Sequence, residues 1–332
     1  MRFNRLRRRD LITLLAGAGA SWPLAALAQQ PAMPVIGYLD AGAPEPNANL
    51  VAAFRKGLSE AGFFEGQNVA IEFRWAHNEN ARLPELAADL VRHRVAVIAT
   101  PLNTPASLSA KAATTTIPIV FGMGGDPVKF GFVASLNRPG GNLTGVTIMN
   151  AELMAKRLGL LQELLPGATL FAVLVNPNSP LITESIITDM RAVAGIGRQI
   201  EVLTASTTRD IDTAFASMAQ KRASALLINP DTLFRDRREQ LVTLAAHHKV
   251  PAIYPWREAV EIGGLMSYGS SVAEVSRQVG IYTGRVLKGE KPADLPIMEV
   301  TKFELVLNLT TAKALGIDIS PKLLALADEV IE

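Results

Sequence analysis

The chain has 332 residues, no cysteine and 48 % hydrophobic residues, and its 33 basic and 31 acidic side chains give a net charge of +2 at pH 7. The lack of cysteine excludes disulfide bonds, a lipid-bearing cysteine and a thiol nucleophile, so the fold must be stabilised by its hydrophobic core. The charge balance gives no support to nucleic-acid binding, and the length suits two domains of ordinary size.

The first 28 residues have the three parts of a secretory signal peptide. Arginines at positions 7–9 precede an apolar stretch over 14–27, which ends in the cleavage pattern Ala26-Leu27-Ala28. That stretch is shorter than the roughly 20 residues that a membrane anchor needs. The arginines before Asp10 also resemble a twin-arginine export signal, although the general secretory route stays open. We therefore predict export and cleavage after Ala28.

Cleavage would change the charge of the protein. Residues 1–28 contain five arginines and one aspartate, so the remaining chain has 28 basic and 30 acidic side chains and a net charge near −2. An exported protein without a lipid anchor is kept near the cell only by a second membrane. We therefore predict a monomer in the periplasm that binds no nucleic acid and does not insert stably into the membrane.

Apolar strands and amphipathic helices alternate from residue 35 onward. In the first half, the pattern predicts helices over 50–61 and 82–93 and strands over 35–39, 69–75, 95–99 and 117–121. In the second half, it predicts helices over 151–165, 209–221 and 272–288 and strands over 170–175, 200–204, 225–228, 251–254 and 264–268. Such alternation is typical of parallel sheets with right-handed crossovers, so we expect an α/β fold.

The two halves meet at residues 117–147, which read as a strand, a polar loop, a short helix, a turn and another strand. The first of these strands stops at the loop Gly122-Met123-Gly124-Gly125-Asp126-Pro127. Ligands of open α/β sheets bind beyond the carboxyl ends of the strands, where small residues let the backbone approach a small molecule. The same residue types are common in ordinary turns, so both interpretations stay open.

The central unit and two further segments carry a resemblance to a known family. The motifs are Asp126-Pro127-Val128, Gly131-Phe132-Val133, Ser135-Leu136, the Arg-Pro-Gly-Gly-Asn run at 138–142 and the Leu-Thr-Gly-Val-Thr run at 143–147, with further similarity at 114–121 and 311–316. Together they resemble the substrate-binding proteins of ABC transporters, in the group that includes binders of aromatic amino acids and has a type I periplasmic-binding-protein fold. The resemblance covers the chain after the signal peptide.

The resemblance implies two Rossmann-like lobes with parallel sheets, a ligand cleft between them and three crossover segments, which we place near residues 148, 263 and 299. The N-terminal lobe would then comprise 33–147 and 264–298, and the C-terminal lobe 148–263 and 299–332. The implied function is capture of an amino acid or related small organic ligand by hinge closure, for an ABC permease in the inner membrane. An exported sensor subunit that regulates a membrane receptor stays open as an alternative.

Residues at the predicted strand ends are the candidates for ligand contact, because these ends would line the cleft. The candidates are Tyr38, Asp40, Asn103, Thr104, Gly125, Asp126, Asn176, Asn178, Asn229, Asp231, Tyr254, Trp256, Tyr268 and Gly269. For any one of the tyrosines, packing in the core is an equally good interpretation.

The polar candidates suggest how the carboxylate and the ammonium group of a ligand would be bound. Thr104-Pro105 and Ser179-Pro180 are typical helix starts, which predicts Thr104 as an N-cap residue. Free N–H groups after Thr104 would suit a ligand carboxylate, although capping alone explains both pairs. Asp126 and Asp231 are the carboxylates best placed to meet an ammonium group. We therefore expect one lobe to hold the anion and the other to help hold the cation.

Motifs for catalysis, cofactors and metals are lacking. The Gly122-x-Gly124 pair follows a strand, but Pro127 stands at the third glycine position of a dinucleotide fingerprint. His247 and His248 are adjacent, without metal-ligand spacing, and suit the end of a helix. The sequence has no P-loop and no nucleophile elbow. We therefore expect no catalytic residue, no metal site, no cofactor and no enzymatic activity.

Overall fold

The computed structural model describes residues 33–148, 150–193 and 198–332, so the expected signal peptide lies outside the described residues. The strands are β1 (Val35–Asp40), β2 (Ala70–Trp75), β3 (Val97–Thr100), β4 (Ile119–Gly124), β5 (Leu143–Ile148), β6 (Leu170–Val175), β7 (Gln199–Thr204), β8 (Ala225–Ile228), β9 (Ala252–Tyr254), β10 (Met266–Gly269), β11 (Met298–Glu299), β12 (Glu304–Asn308) and β13 (Glu329–Ile331).

Helices fill most connections between these strands. They are α1 (Ala48–Glu60), α2 (Leu83–Arg92), α3 (Thr104–Ala113), α4 (Asn150–Leu164), α5 (Pro180–Val193), α6 (Thr208–Lys221), α7 (Thr232–Asp236), α8 (Arg238–His247), α9 (Arg257–Glu261), α10 (Val272–Leu287), α11 (Leu309–Leu315) and α12 (Pro321–Leu326). Short 3₁₀ turns occur at Glu45–Asn47, Asn80–Arg82 and Pro292–Asp294. Within the described ranges, no helix is both long and apolar enough to cross a lipid bilayer.

The strands form two sheets, which define two lobes. The first lobe has a six-stranded sheet in the order β11-β5-β4-β3-β1-β2, and all its neighbouring strands are parallel. The second lobe has a seven-stranded sheet in the order β13-β12-β10-β9-β8-β6-β7, in which only the β10–β12 pair is antiparallel. The predicted α/β fold with two mostly parallel lobes is confirmed.

Both sheets are covered by helices on both faces, as their almost continuous apolar strands predict. In β4, Val120 packs with α1 and α10, whereas its neighbours Ile119 and Phe121 pack with α2 and α3. In β6, Leu174 packs with α6 and α8, whereas Val173 packs with α4 and α5. This alternation follows from the two-residue period of a strand.

Two glycines let α1 and α10 pack backbone to backbone on the first lobe. A Cβ atom at Gly57 would lie 1.9 Å from the carbonyl oxygen of Arg277, and one at Gly280 would lie 2.2 Å from that of Phe54. Either substitution would force the two helices apart. Helix α10 directly follows β10 of the second lobe in the chain. Its packing on α1 therefore anchors one crossing segment to the first lobe.

The chain passes between the lobes after β5, between β10 and α10, and between β11 and β12. The second passage differs from the sequence-based boundary, which assigned 264–298 to the first lobe. Strand β10 pairs with β9 and β12 of the second lobe, so the chain returns after Gly269 rather than at Gly263. An apolar strand has the same pattern in either sheet, so periodicity does not reveal its neighbours.

Candidate functional site

A cavity of about 650 Å³, counting its open mouth, lies between the two lobes where strands of both sheets end. The first lobe contributes residues that follow β3 and the last residues of β4 and β5. The second lobe contributes residues of α4 and residues that follow β6, β8 and β9, and the crossing after β10 contributes Ser270 and Val272. Its lining consists of Leu102, Thr104, Pro105, Gly124, Ile148, Leu153, Arg157, Ser179, Pro230, Asp231, Thr232, Arg235, Pro255, Trp256, Ser270 and Val272. This is the position at which open α/β sheets bind ligands.

The charged side chains of this lining are Arg157, Asp231 and Arg235, and all three belong to the second lobe. Arg157 lies on α4, Asp231 follows β8, and Arg235 lies on α7. The residues that line the cavity from the first lobe are uncharged. The two walls of the cavity therefore differ in chemistry, one polar and charged and the other largely apolar.

Arg157 is the largest side chain that is almost completely buried, with an exposed fraction of 1 %. Its Nε donates a hydrogen bond of 2.7 Å to the carbonyl oxygen of Tyr268, and its Nη1 lies 3.3 Å from the sulfur of Met154. Burial lowers the pKa of Arg157 to about 9. No carboxylate of the described residues lies within 4.0 Å of its guanidinium. Arg157 thus presents a buried positive charge to the cavity.

Asp231 holds together the polar part of the second-lobe wall. Its Oδ1 accepts hydrogen bonds of 2.9 Å from the Asn176 side chain and from the Leu233 N–H, which makes it the N-cap of α7. Its Oδ2 accepts a bond of 3.1 Å from the Ser179 hydroxyl. Burial raises the pKa of Asp231 despite these bonds. The carboxylate is already anchored by its own lobe before any ligand arrives.

Helix α7 contacts the first lobe through Asp236. Its carboxylate accepts hydrogen bonds from the Ala43 N–H at 3.0 Å, from the Asn47 side chain at 2.9 Å and from the Asn78 side chain at 3.2 Å. A second contact joins the Asn103 side chain to the Thr232 hydroxyl at 3.3 Å. These bonds join the lobes directly, so the structure is that of a closed form.

Arg235 lies where the cavity and the interlobe contact meet. It is 7 % exposed, and its Nε donates to the Asn47 side chain at 3.0 Å. Its Nη2 lies 3.9 Å from Oδ1 of Asp40 and has no hydrogen-bond partner among the described residues. Arg235 therefore has an ionic neighbour in the other lobe and retains one free N–H group.

Asp40 and Tyr38 lie at the end of β1 and are completely buried. Oδ1 of Asp40 accepts bonds from the Gly42 N–H at 2.7 Å and from the Asn103 side chain at 2.9 Å. Burial, partly opposed by Arg235, raises the pKa of Asp40 to about 6. The Tyr38 ring packs against three aromatic rings of the first-lobe core. Both residues lie behind the cavity wall rather than in it.

The predicted N-cap of α3 is wrong by one residue. Asn103, not Thr104, is the cap, because its side-chain oxygen accepts a bond of 3.0 Å from the Ala106 N–H. Thr104 is the first residue of the helix and lines the cavity beside Pro105. Because Pro105 has no N–H and that of Ala106 is already bonded, this helix start offers fewer free donors than expected.

The glycine loop after β4 turns away from the cavity at Gly125, where φ is +114°. Oδ1 of Asp126 accepts bonds from the N–H groups of Val128 and Lys129, at 2.8 Å and 3.1 Å. The short helix expected after it is reduced to a turn closed by a 3.0 Å bond from Phe130 N–H to the Asp126 carbonyl. The Asp126 carboxylate therefore stabilises its own loop and is not part of the cavity lining.

The remaining sequence candidates lie around the second-lobe wall. Asn229 and Tyr254 are completely buried, and Asn178 is exposed, with its carbonyl oxygen 3.3 Å from the Asn80 side chain of the first lobe. Tyr268 gives its carbonyl to Arg157, and Gly269 packs so closely that a Cβ atom would lie 2.1 Å from the Pro255 carbonyl oxygen.

Three of the sequence candidates, Thr104, Asp231 and Trp256, line the cavity, and Asn176 is bonded to one of them. Ligand contact stays a prediction for all of the candidates. The charged residues that sequence reasoning missed are Arg157 and Arg235. Arg157 carried a signal, since it falls on the apolar stripe of α4 formed by residues 153, 154, 158 and 161. A single arginine on such a stripe faces the protein interior.

Comparisons with known proteins agree with this architecture. The tyrosine-binding protein of Clostridioides difficile (strain R20291) is 28 % identical over 264 residues, which are 79 % of this chain and 75 % of that protein. A crystal structure of an ABC domain from Streptococcus pneumonia in complex with L-Trp matches with a TM-score of 0.78 and 25 % identity, over 90 % of this chain and 99 % of that chain. A conserved domain protein from Vibrio cholerae O1 matches with a TM-score of 0.80, 25 % identity and the same coverage.

The family comparison covers most of the chain. The model of the family described as ABC transporter substrate binding protein matches residues 46–331. Its members bind solutes and are not enzymes, and they work in the periplasm or outside the cell. The match agrees with the resemblance carried by the motifs at 114–147 and 311–316, so the chain belongs to the family of ABC transporter substrate-binding proteins.

Proposed function

We propose that the chain is the periplasmic substrate-binding component of an ABC importer, and that it captures an amino acid or a related small organic ligand by closing its two lobes. The observation that carries the proposal is the cavity of about 650 Å³ between the lobes. Small-ligand sites usually combine an apolar lining with a few polar groups.

The lining of the cavity suits an amino acid with an apolar or aromatic side chain. Leu102, Ile148, Leu153, Trp256 and Val272 supply apolar surface from both lobes, and the charged groups all lie on the second-lobe wall. A relative named for tyrosine binding and a similar structure that contains L-Trp support an aromatic amino acid.

Closure of the lobes is the proposed mechanism. The lobes are joined by three short crossover segments, by hydrogen bonds from α7 and by the packing of Leu50 against the second-lobe core, and these α7 and Leu50 contacts would break when the lobes separate. A ligand that bridges the two walls would shift the equilibrium toward the closed form, which a permease in the inner membrane would recognise.

A thermal unfolding screen with amino acids, aromatic acids and nucleosides tests the binding function. A ligand present at a hundred times its dissociation constant should add about 2.7 kcal/mol to the free energy of unfolding. Replacing Thr104 by Phe places a bulky ring in the cavity and should abolish the stabilisation, whereas Asn137→Ala, on the exposed surface, should not. If no compound in the panel stabilises the protein, capture of such ligands is contradicted.

An uptake assay tests the importer role separately. A strain without the protein should lose uptake of the ligand that the screen identifies. Normal uptake together with a lost transcriptional response to that ligand would instead indicate the sensor role.

A further inference from the structure

Arg157 is buried in the cavity wall without an anionic partner. It is 1 % exposed, and its guanidinium has no carboxylate within 4.0 Å among the described residues. Its hydrogen-bond partners in the described part of the chain are the neutral carbonyl of Tyr268 and the sulfur of Met154. Burial of an unpaired ionic group is costly, and proteins normally pair such groups or give them a bound counter-ion.

Arg157 belongs to the lining of the cavity, and its side chain lies beside the end of β10. The position next to it is Gly269, where a Cβ atom would lie 3.4 Å from Nη2 of Arg157. The Nε and Nη1 groups are used on the protein side. An arginine guanidinium has five N–H donors in a fixed, fork-like arrangement, so several donors are left for a ligand.

The other two positive positions in the cavity already have a partner in the protein, although Nη2 of Arg235 has no hydrogen-bond acceptor among the described residues. Arg235 donates to Asn47 and lies 3.9 Å from the Asp40 carboxylate. The start of α3 is capped by Asn103, and Pro105 contributes no N–H group. Of the positive sites around the cavity, only Arg157 lacks a carboxylate or capping partner in the part of the chain that the structure describes.

We propose that Arg157 is the anion-binding residue of the site, and that the ligand carries a carboxylate that pairs with its guanidinium. This inference rests on the proposed function and adds a chemical requirement to it. It moves the expected carboxylate site from the start of α3 to α4 of the second lobe. The planar guanidinium matches the two oxygens of a carboxylate, which gives a charge-assisted and directional pair.

Paired probes test the carboxylate requirement on the native protein. L-Tryptophan and 3-indolepropionate carry a carboxylate, whereas tryptamine has the same ring and lacks it. Calorimetry should show that tryptamine binds at least about tenfold more weakly than L-tryptophan, because it lacks the charge-assisted bond. Equal affinity of tryptamine and L-tryptophan would overturn the inference.

Variants of Arg157 assign the effect to this residue. Arg157→Gln should lower the affinity for L-tryptophan by about 10- to 150-fold and leave tryptamine binding unchanged. Arg157→Lys keeps the charge without the fork and should recover part of the loss. Arg138→Gln, at an exposed position, is the matched control and should bind like the native protein. Thermal unfolding checks that each variant folds. If Arg157→Gln does not fold, Arg157→Lys and the paired probes test the role of Arg157.

The outcomes separate this inference from the proposed function. If L-tryptophan binds equally well to the native protein and to a folded Arg157→Gln or Arg157→Lys variant, the inference is wrong while amino-acid capture stands. If only 3-indolepropionate binds, and binding depends on Arg157, the inference stands and amino-acid capture falls. If no carboxylate-bearing probe binds the native protein, both are contradicted.

Discussion

The two walls of the interlobe cavity have different chemistry. The second-lobe wall carries Arg157, Asp231 and Arg235, whereas the first-lobe wall consists of uncharged residues such as Leu102, Thr104 and Ile148. The first lobe does contain a carboxylate close by, Asp40, but it is completely buried behind the wall. The second lobe therefore supplies all the charged groups of the lining, and both lobes supply apolar surface.

This difference changes the expected order of events. The sequence suggested that the anion of a ligand is held by one lobe and its cation partly by the other. Under the proposed function, both charged groups of the ligand would instead dock on the second lobe, and the first lobe would then close over the ligand. In that arrangement, interlobe contacts such as those of Asp236 control closure without touching the ligand charge.

The largest expected effect concerns the carboxylate that the first lobe keeps buried. The pKa of Asp40 is raised from 3.8 to about 6, so the folded protein binds more protons than the unfolded chain between these values. The contribution of Asp40 to the free energy of unfolding should therefore fall as pH rises from about 4 to about 6, by up to about 3 kcal/mol. Asp40→Asn removes the titrating group, and Asn can still accept the bonds from Gly42 and Asn103.

Urea unfolding at pH 4, 5, 6 and 7 measures this effect. The free energy of unfolding of the native protein, minus that of Asp40→Asn, should decrease over this range, because the other titrating groups cancel in the difference. A difference that does not change with pH would show that the buried carboxylate is not destabilising.

The next effect concerns Asp231, the carboxylate of the charged wall. Asp231→Asn keeps the N-cap of α7, since Asn caps as well as Asp, but removes the negative charge. Calorimetry should show an affinity for L-tryptophan about 10- to 150-fold lower, and an unchanged affinity for 3-indolepropionate, which lacks the amine. Because Asn176 and Ser179 are bonded to this carboxylate, some loss of ligand-free stability is also expected.

Asp126→Asn is the matched control, because Asp126 was an equal candidate for the ammonium group and caps only its own turn. It should leave both affinities unchanged. Equal losses for the two ligands in Asp231→Asn would show that Asp231 has a structural role only.

A smaller and charge-independent effect is expected at the interlobe contact. Asp236→Ala removes the acceptor for Ala43, Asn47 and Asn78 and should weaken the closed form. Affinity should fall about tenfold for L-tryptophan and 3-indolepropionate alike, since about 1.5 kcal/mol of closure energy is lost whatever the ligand charge. Small-angle scattering should show a more open ligand-free protein. An effect on only one ligand would mean that Asp236 acts on ligand charge rather than on closure.

The smallest change in affinity is expected from replacing Trp256. The main effect of that replacement should be on the intrinsic fluorescence of the protein. Trp256 lines the cavity, whereas Trp75 packs with Tyr38 and Phe73 in the first-lobe core. Fluorescence titration with 3-phenylpropionate should change the emission of the native protein. Trp256→Phe should remove most of that change. A full response in the variant would place Trp256 outside the ligand site.

Much of the fold followed from the sequence because strand and helix periods are local properties. The predicted strands 170–175 and 225–228 coincide with β6 and β8. The predicted strand 117–121 overlaps β4 and is buried, as expected. Sheet neighbours are not local, so β10 was assigned to the wrong lobe and its antiparallel pairing with β12 was not expected.

The site was predicted less well than the fold, for a related reason. Strand ends identified Asp231 and Trp256, but a residue on a helix reaches the cavity only if that helix is packed beside it. Arg157 was therefore missed, although it lies on the apolar stripe of α4. At the start of α3, Asn103 and Thr104 are both good caps, and sequence alone did not separate them.

A crystal structure of the protein grown with L-tryptophan would locate the ligand and the partners of its two charged groups. We predict density in the cavity between the lobes, with the carboxylate on Arg157, the ammonium beside Asp231 and only uncharged contacts to the first lobe. A ligand outside the cavity, or one whose charged groups are held by the first-lobe wall, would contradict the account.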